Sequence, residues 1–410
     1  MKRSKRLLAV AASAAIIPVS LAACSTSGTS AGTGSSGTSA GAGSQPLTIE
    51  DTEAVNFNPL YLTCAKKVDA ELTINHVPSG DVTKALQQAA SKTLPDVLEL
   101  DNPVVQQFAA AGVLSPLSNY GVSGQGNVPG VTAAGSYKGS LYGLVPDTNS
   151  IALYYNVKLL KAAGVTPPTT WDQLRADARK LTHGSTYGFA MANISSAEGT
   201  WQFLPFFWSN GGDEKNIATS QAAQALQFIV DLQNDGSMSK SSVGWGQVDV
   251  NNQFIGGKAA MMVNGPWQLP ALNAAKGLDF ASVKIPTPST SQKTIAPLGG
   301  SAYTVPNTGD KGRMALAGKF VGCINSAQMQ TAIAGVGGNV PSNEAVAATW
   351  ASSHPQVASF VTTVKTARAR TGELGSDWPK AETKIYTAEQ LALTGKASPS
   401  AALSQAKASN

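Results

Sequence analysis

From residue 46 onward two kinds of segment alternate, and that alternation narrows the fold more than any other feature of the chain. Short apolar runs at residues 46–51, 72–77 and 94–101 read as strands. Residues 61–69 read as a helix, 82–91 carry apolar side chains at helical spacing, and 104–111 continue the pattern until Gly112 stops it. Downstream the alternation resumes. Strands are expected at 153–155, 259–263 and 301–305, and helices at 222–232, 313–324 and 357–369. Another helix opens at Trp171, with Thr170 as its cap and Gln173 as the capping-box partner. Strands separated by helices imply an α/β fold with mostly parallel sheets. In open sheets of this kind ligands collect outside the carboxyl ends of the strands, which singles out Asp51, Asp101, Asn102 and Asn264.

The first 44 residues belong to no packed domain. Lys2, Arg3, Lys5 and Arg6 precede an apolar stretch too short to span a bilayer. Leu21-Ala22-Ala23-Cys24 then matches a bacterial lipobox, so residues 1–23 read as a signal peptide and Cys24 as the lipidated first residue of the mature chain. Residues 25–44 contain only Ser, Thr, Gly and Ala, a flexible tether with a root-mean-square reach of roughly 25 Å. Export opens oxidising conditions to the protein, under which Cys64 and Cys323 either pair or stay as two buried thiols.

Composition and motifs exclude several functions. The net charge is +5, but the leader supplies four positives, leaving 26 basic against 25 acidic residues. No clustered cationic face remains for a nucleic acid. Three scattered histidines and three cysteines make no zinc site, and no metal or cofactor is expected. GxSxG and GxGxxG patterns occur only inside the tether, away from the strand–turn–helix setting their chemistry needs. The SxxK matches at Ser237 and Ser404 lack companion motifs. No local signature marks the facing carboxylates of a glycosidase.

Three stretches in fixed order carry a family resemblance. The first is Ala152-Leu153-Tyr154-Tyr155-Asn156 with Lys158-Leu159-Leu160, followed by Ala163-Gly164-Val165 and Thr170-Trp171-Asp172. The second is Phe254, then Gly257-Lys258-Ala259-Ala260-Met261, running into Asn264-Gly265-Pro266-Trp267. The third is Leu393-Thr394-Gly395-Lys396. With Leu94-Pro95-Asp96-Val97 upstream, the chain resembles the extracellular solute-binding proteins of carbohydrate ABC importers, the maltose-binding-protein-like family, in lipoprotein form.

The resemblance implies a two-lobed, periplasmic-binding-protein-like fold whose sheets are joined by hinge segments. Lobe one would hold residues 45–148 plus 303–350, and lobe two 149–302 plus 351–410. Both paired-cysteine candidates then fall in lobe one, which favours a Cys64–Cys323 disulfide. The implied protein is a monomeric, non-enzymatic receptor on the outer face of the cytoplasmic membrane, handing a mono- or oligosaccharide to permease subunits. A secreted carbohydrate-active enzyme and a receptor for a polyamine or peptide are the alternatives.

A sugar presents apolar C–H faces that suit aromatic rings and hydroxyls that suit Asp, Asn and Glu. By resemblance Trp267 and Trp201 match stacking positions, Trp378 in a C-terminal loop is a further candidate, and Gly300 and Ser301 offer backbone groups at a crossing. Asp147 and Asn149 flank the other crossing. Asp51 lies in a first corner that departs from the family pattern through Glu53 to Leu60. Trp171 is expected in the core. Arg368 and Arg370, placed on the 357–369 helix, are expected in solvent, which weighs against an anionic ligand.

Overall fold

A computed structural model describes residues 44–77 and 82–409. The signal peptide, Cys24 and the tether up to residue 43 lie outside the described residues. Nine strands build the two main sheets. In chain order they are β1 (Gln45–Asp51), β2 (Ala70–His76), β3 (Val97–Asp101), β4 (Gly143–Leu144), β5 (Ala152–Asn156), β6 (Tyr187–Ala190), β7 (Ala259–Asn264), β8 (Phe280–Val283) and β9 (Ser301–Thr304). The first sheet has the order β2-β1-β3-β9-β4 and the second β8-β5-β7-β6.

Strand direction explains the connectivity. β1 runs parallel to β2 and β3, while β9 runs antiparallel to β3 and β4. In the second sheet β7 is parallel to β6, and β5 opposes both β7 and β8. Each sheet therefore contains one reversed strand, and that strand is the one arriving directly from the other sheet. A segment that enters across the cleft must run against strands whose carboxyl ends face the cleft. Two lobes joined by such crossings follow from this arrangement.

Burial matches side-chain pattern. Edge strand β2 alternates half-buried with exposed residues, whereas every residue of β7 is buried, so it reads as an unbroken apolar run. β3 begins at Val97, three residues later than the sequence implies. Pro95 has no N–H for a ladder, and Asp96 instead accepts from the Thr48 backbone at 2.8 Å and pairs with Arg313. The Trp171–Leu181 helix is capped by Thr170 as expected, but Gln173 Oε1 accepts from the Thr169 backbone rather than from Thr170, a box displaced by one residue. Its Trp171, Leu174, Ala178 and Leu181 face the core, and the Trp171 ring stacks on Phe228 at 4.7 Å.

The segment expected as one helix to residue 369 breaks. The helix is Pro355–Val364, after which Arg368–Ala369 pair with Pro297–Leu298, the Arg368 N–H donating to the Ala296 carbonyl at 2.8 Å. Cys64 and Cys323 form a disulfide across 259 residues, joining the Asn58–Lys67 and Lys311–Ile324 helices inside the first lobe.

Candidate functional site

The carboxyl ends of β1, β2 and β3 meet the loop after β7 around a cavity of about 320 Å³. Of the residues singled out from sequence, Asp101, Asn149, Trp201, Trp267, Gly300 and Ser301 line it. Glu50, Thr52, Glu53, Glu99, Glu198, Gln247, Asn339 and Arg370 join them.

Trp267 is half-buried on one wall. Its position depends on the turn that follows β7. The indole folds back over Gly265, where an added Cβ would sit 1.9 Å from Trp267 Cζ3. Gly265 has an ordinary extended backbone, φ −111°, so it is needed for space under the ring and not for an unusual dihedral. Pro266 opens the short helical turn that carries the tryptophan.

A stacked group also lines the cavity. Arg370 is 3% exposed, lies over the Trp201 ring at 4.5 Å, and forks onto Asp101 with contacts of 2.7 and 2.5 Å. Two parallel N–H···O bonds fix both planes. This overturns the expectation of a solvated Arg370: the break after Val364 turns the residue into the cleft, where Asp101 supplies its counter-charge. Arg368 is likewise paired, with Glu214, and lies over Trp208. Among the described residues the Trp201 N–H has no hydrogen-bond partner.

The third wall is acidic. Glu99 sits in β3 between two buried leucines and is 4% exposed. One of its oxygens accepts the Thr52 N–H at 2.5 Å and the Thr52 hydroxyl at 3.1 Å, the Ser301 side chain also favours its charged form, and Oε1 has no hydrogen-bond partner of ordinary geometry among the described residues. Burial pushes Glu99 up to about 7. Glu53 is also raised, by enclosure of its carboxyl and then by the Glu99 charge beside it. Asp51 is buried behind them, not on the cavity, and binds His76 at 2.6 Å.

Three other expected residues stand back from the cavity. Asn102 is 1% exposed and accepts a long contact from Arg370. Asp147 is buried at the first crossing, where burial raises it to about 6. Trp378 is fully buried and does not reach the cleft. It opens the Trp378–Leu393 helix, packs against Trp208 at 6.2 Å, and satisfies its N–H on Glu382 of the next turn. An indole with an internal acceptor can be buried whole, so the loop assignment made from sequence placed it wrongly.

The crossings themselves are paired. Asn149 and Gly299 exchange both backbone hydrogen bonds, at 3.1 and 2.9 Å, and the Thr148 hydroxyl also donates to Gly299. Gly300 has φ +137°, and a Cβ there would approach Val145 Cγ1 at 2.5 Å. Sequence reasoning missed Glu99 although a carboxylate between core leucines is a signal in itself. Glu198, Gln247 and Asn339 carry no such signal; folding alone brings them together.

Comparison with known proteins agrees with the fold. Residues 61–359 match the family model described as bacterial extracellular solute-binding protein. A binding protein of Brucella abortus is 30% identical over 138 residues, 32% of this chain and 33% of the relative. The maltooligosaccharide ABC transporter solute-binding lipoprotein of Streptococcus pneumoniae is 25% identical over 285 residues, 64% of this chain and 63% of its own. The chain thus spans between one third and just under two thirds of these relatives. Among solved structures, the GacH receptor of Streptomyces glaucescens superposes with a TM-score of 0.78 at 24% identity, covering 88% of this chain and 96% of that one.

Proposed function

The chain belongs to the bacterial extracellular solute-binding proteins, and from that membership we propose that it captures a carbohydrate between its two lobes and delivers it to an ABC importer. The observation that carries the reading is the cavity at the lobe junction. There an aromatic ring, Trp267, shares the lining with strand-end carboxylates such as Asp101 and with the amides of Asn149, Gln247 and Asn339. The ring suits the C–H face of a sugar, and the polar groups suit its hydroxyls. The neutral balance of the mature chain and the hinge-like crossings fit a receptor that closes on a small solute.

On this reading residues 45–148 plus 303–350 move as one lobe and 149–302 plus 351–410 as the other. Cys24 carries the lipid and residues 25–44 the tether, which hold the monomer at the outer face of the membrane beside its permease. The protein turns nothing over and binds no nucleic acid. The test is calorimetric titration and thermal shift of protein starting at Ser44 against maltose to maltohexaose and a panel of other saccharides. A bound sugar raises the melting temperature by mass action. No shift with any saccharide, or conversion of the sugar on incubation, defeats the proposal. Cys24→Ser should move the protein from membranes to the medium, and its retention on washed membranes would remove the anchor.

A further inference from the structure

The charges of the cleft do not balance, and the imbalance is local. Glu50 is held by Lys84 at 2.7 Å, Asp101 by the Arg370 fork, and Asp51 by His76. Glu198 accepts the Gln247 backbone N–H at a helix start. Glu53 and Glu99 remain. Both line the cavity, both lie beside each other, and among the described residues neither forms an ion pair with Lys, Arg or His. Glu99 is 4% exposed, and its Oε1 has no hydrogen-bond partner of ordinary geometry among the described residues. A carboxylate pair with one buried and one half-buried member and no counter-charge either keeps a proton or awaits a cation.

Among the described residues the surroundings add no cation to the pair. Behind the pair stand Asp51 and the Tyr61 and Tyr303 hydroxyls, which bond to each other at 2.7 Å; Asp147 stands beside it, and the one cleft guanidinium, Arg370, is already forked onto Asp101. A neutral hydroxyl donates one hydrogen bond to the pair but leaves its charge uncompensated. An ammonium group offers three donors and the missing positive charge, and it can hydrogen-bond to both carboxylates at once.

We propose that the Glu53–Glu99 pair receives a protonated amine, so that the preferred ligand is an amine-bearing saccharide whose ring stacks on Trp267. The proposal rests on the carbohydrate reading above and sharpens its substrate class. Binding of the ammonium releases a proton from the pair into solvent, in keeping with the raised pKa of both carboxyls.

The experiment is isothermal titration at pH 7 of the protein from Ser44 with matched pairs: glucosamine against glucose, galactosamine against galactose, and the β-1,4 glucosamine trimer against cellotriose. Maltotriose and spermidine complete the set. In at least one pair the amine should bind roughly tenfold or more tightly than its hydroxyl counterpart. Glu53→Gln with Glu99→Gln should erase that ratio, and titration in buffers of different ionisation enthalpy should show proton release for the amine. Hydroxyl members binding as well as or better than amines, or maltotriose binding while every amine fails, overturns the amine site but leaves the carbohydrate reading intact. Spermidine binding with no saccharide overturns the carbohydrate reading instead. Because the deciding ratio is measured on the unaltered protein, misfolding of the double variant could not rescue or sink the claim.

Discussion

At the scale of single residues, the tryptophans divide by where their polar edge finds a partner. Trp171 donates to the Pro286 carbonyl at 3.1 Å and Trp378 to Glu382, and both are core residues. Trp267 is half-buried on the cavity. Trp267→Ala should therefore cost about 2–4 kcal/mol in binding, roughly 30- to 1000-fold in affinity, with little change in melting temperature. Trp378→Ala should do the reverse, losing about 3–5 kcal/mol of stability. Calorimetry and thermal melts on both variants separate the two roles; a melting temperature that collapses only in Trp267→Ala would exchange them. The carboxyls with raised pKa set the pH response of the protein without added ligand. Burial lifts Glu99 and Glu382 to about 7 and Asp147 to about 6, all above their unfolded values. A raised acid favours folding while protonated. The stability it lends is complete below the unfolded range near pH 4 and is lost as pH climbs through 6 to 7. Melting temperature should accordingly fall from pH 5 to pH 8, and Glu99→Gln should flatten that slope.

At the scale of elements, the turn after β7 and the Trp378–Leu393 helix are the informative cases. Gly265→Ala places a methyl group where the Trp267 ring lies, so the indole must move. The expected result is an affinity loss of about tenfold or more with a modest fall in melting temperature, read by titration and thermal melts. Affinity equal to the unaltered protein would show that the ring position is not set by this turn. The helix carries Glu389, which is 1% exposed, with both oxygens unpartnered and its carboxyl held well above the ordinary range by burial. Protonated, it resembles a glutamine in shape and charge. Glu389→Gln should match the parent at pH 5 and exceed it in stability at pH 8; equal melting temperatures at both would show that Glu389 does not contribute to the slope.

At the scale of the whole molecule, two features couple distant segments. The Cys64–Cys323 bond closes a loop of 259 residues. A loop that long restricts the unfolded chain strongly, and reduction or double serine substitution should cost about 4–5 kcal/mol, measured by denaturant titration. The paired crossings at Asn149–Gly299 form the other feature. If the lobes close about them, small-angle scattering should give a smaller radius of gyration with bound saccharide than without. Unchanged scattering at saturating ligand would argue for a preformed closed cleft.

The sequence by itself determined the element types, because hydrophobic period is a local property. The β1 and β7 runs, the capped Trp171 helix and the glycine-interrupted turn before Trp267 all declare themselves within a few residues. It also singled out Trp267, Asp101 and Asn149, which line the cavity, through the rule that strand ends bind and through family resemblance. The tertiary structure decided the rest. Whether Arg370 points to solvent or to Asp101 depends on a helix ending at Val364 and on a backbone contact with the Ala296 segment, far away in sequence. Trp378 moved from cleft to core because Glu382 satisfies its N–H only once both lie on one helix turn. Glu53 and Glu99 form a pair only when β1 and β3 are laid side by side. Charge pairing and burial are sums over neighbours in space, and a linear sequence does not specify those neighbours until the chain has folded.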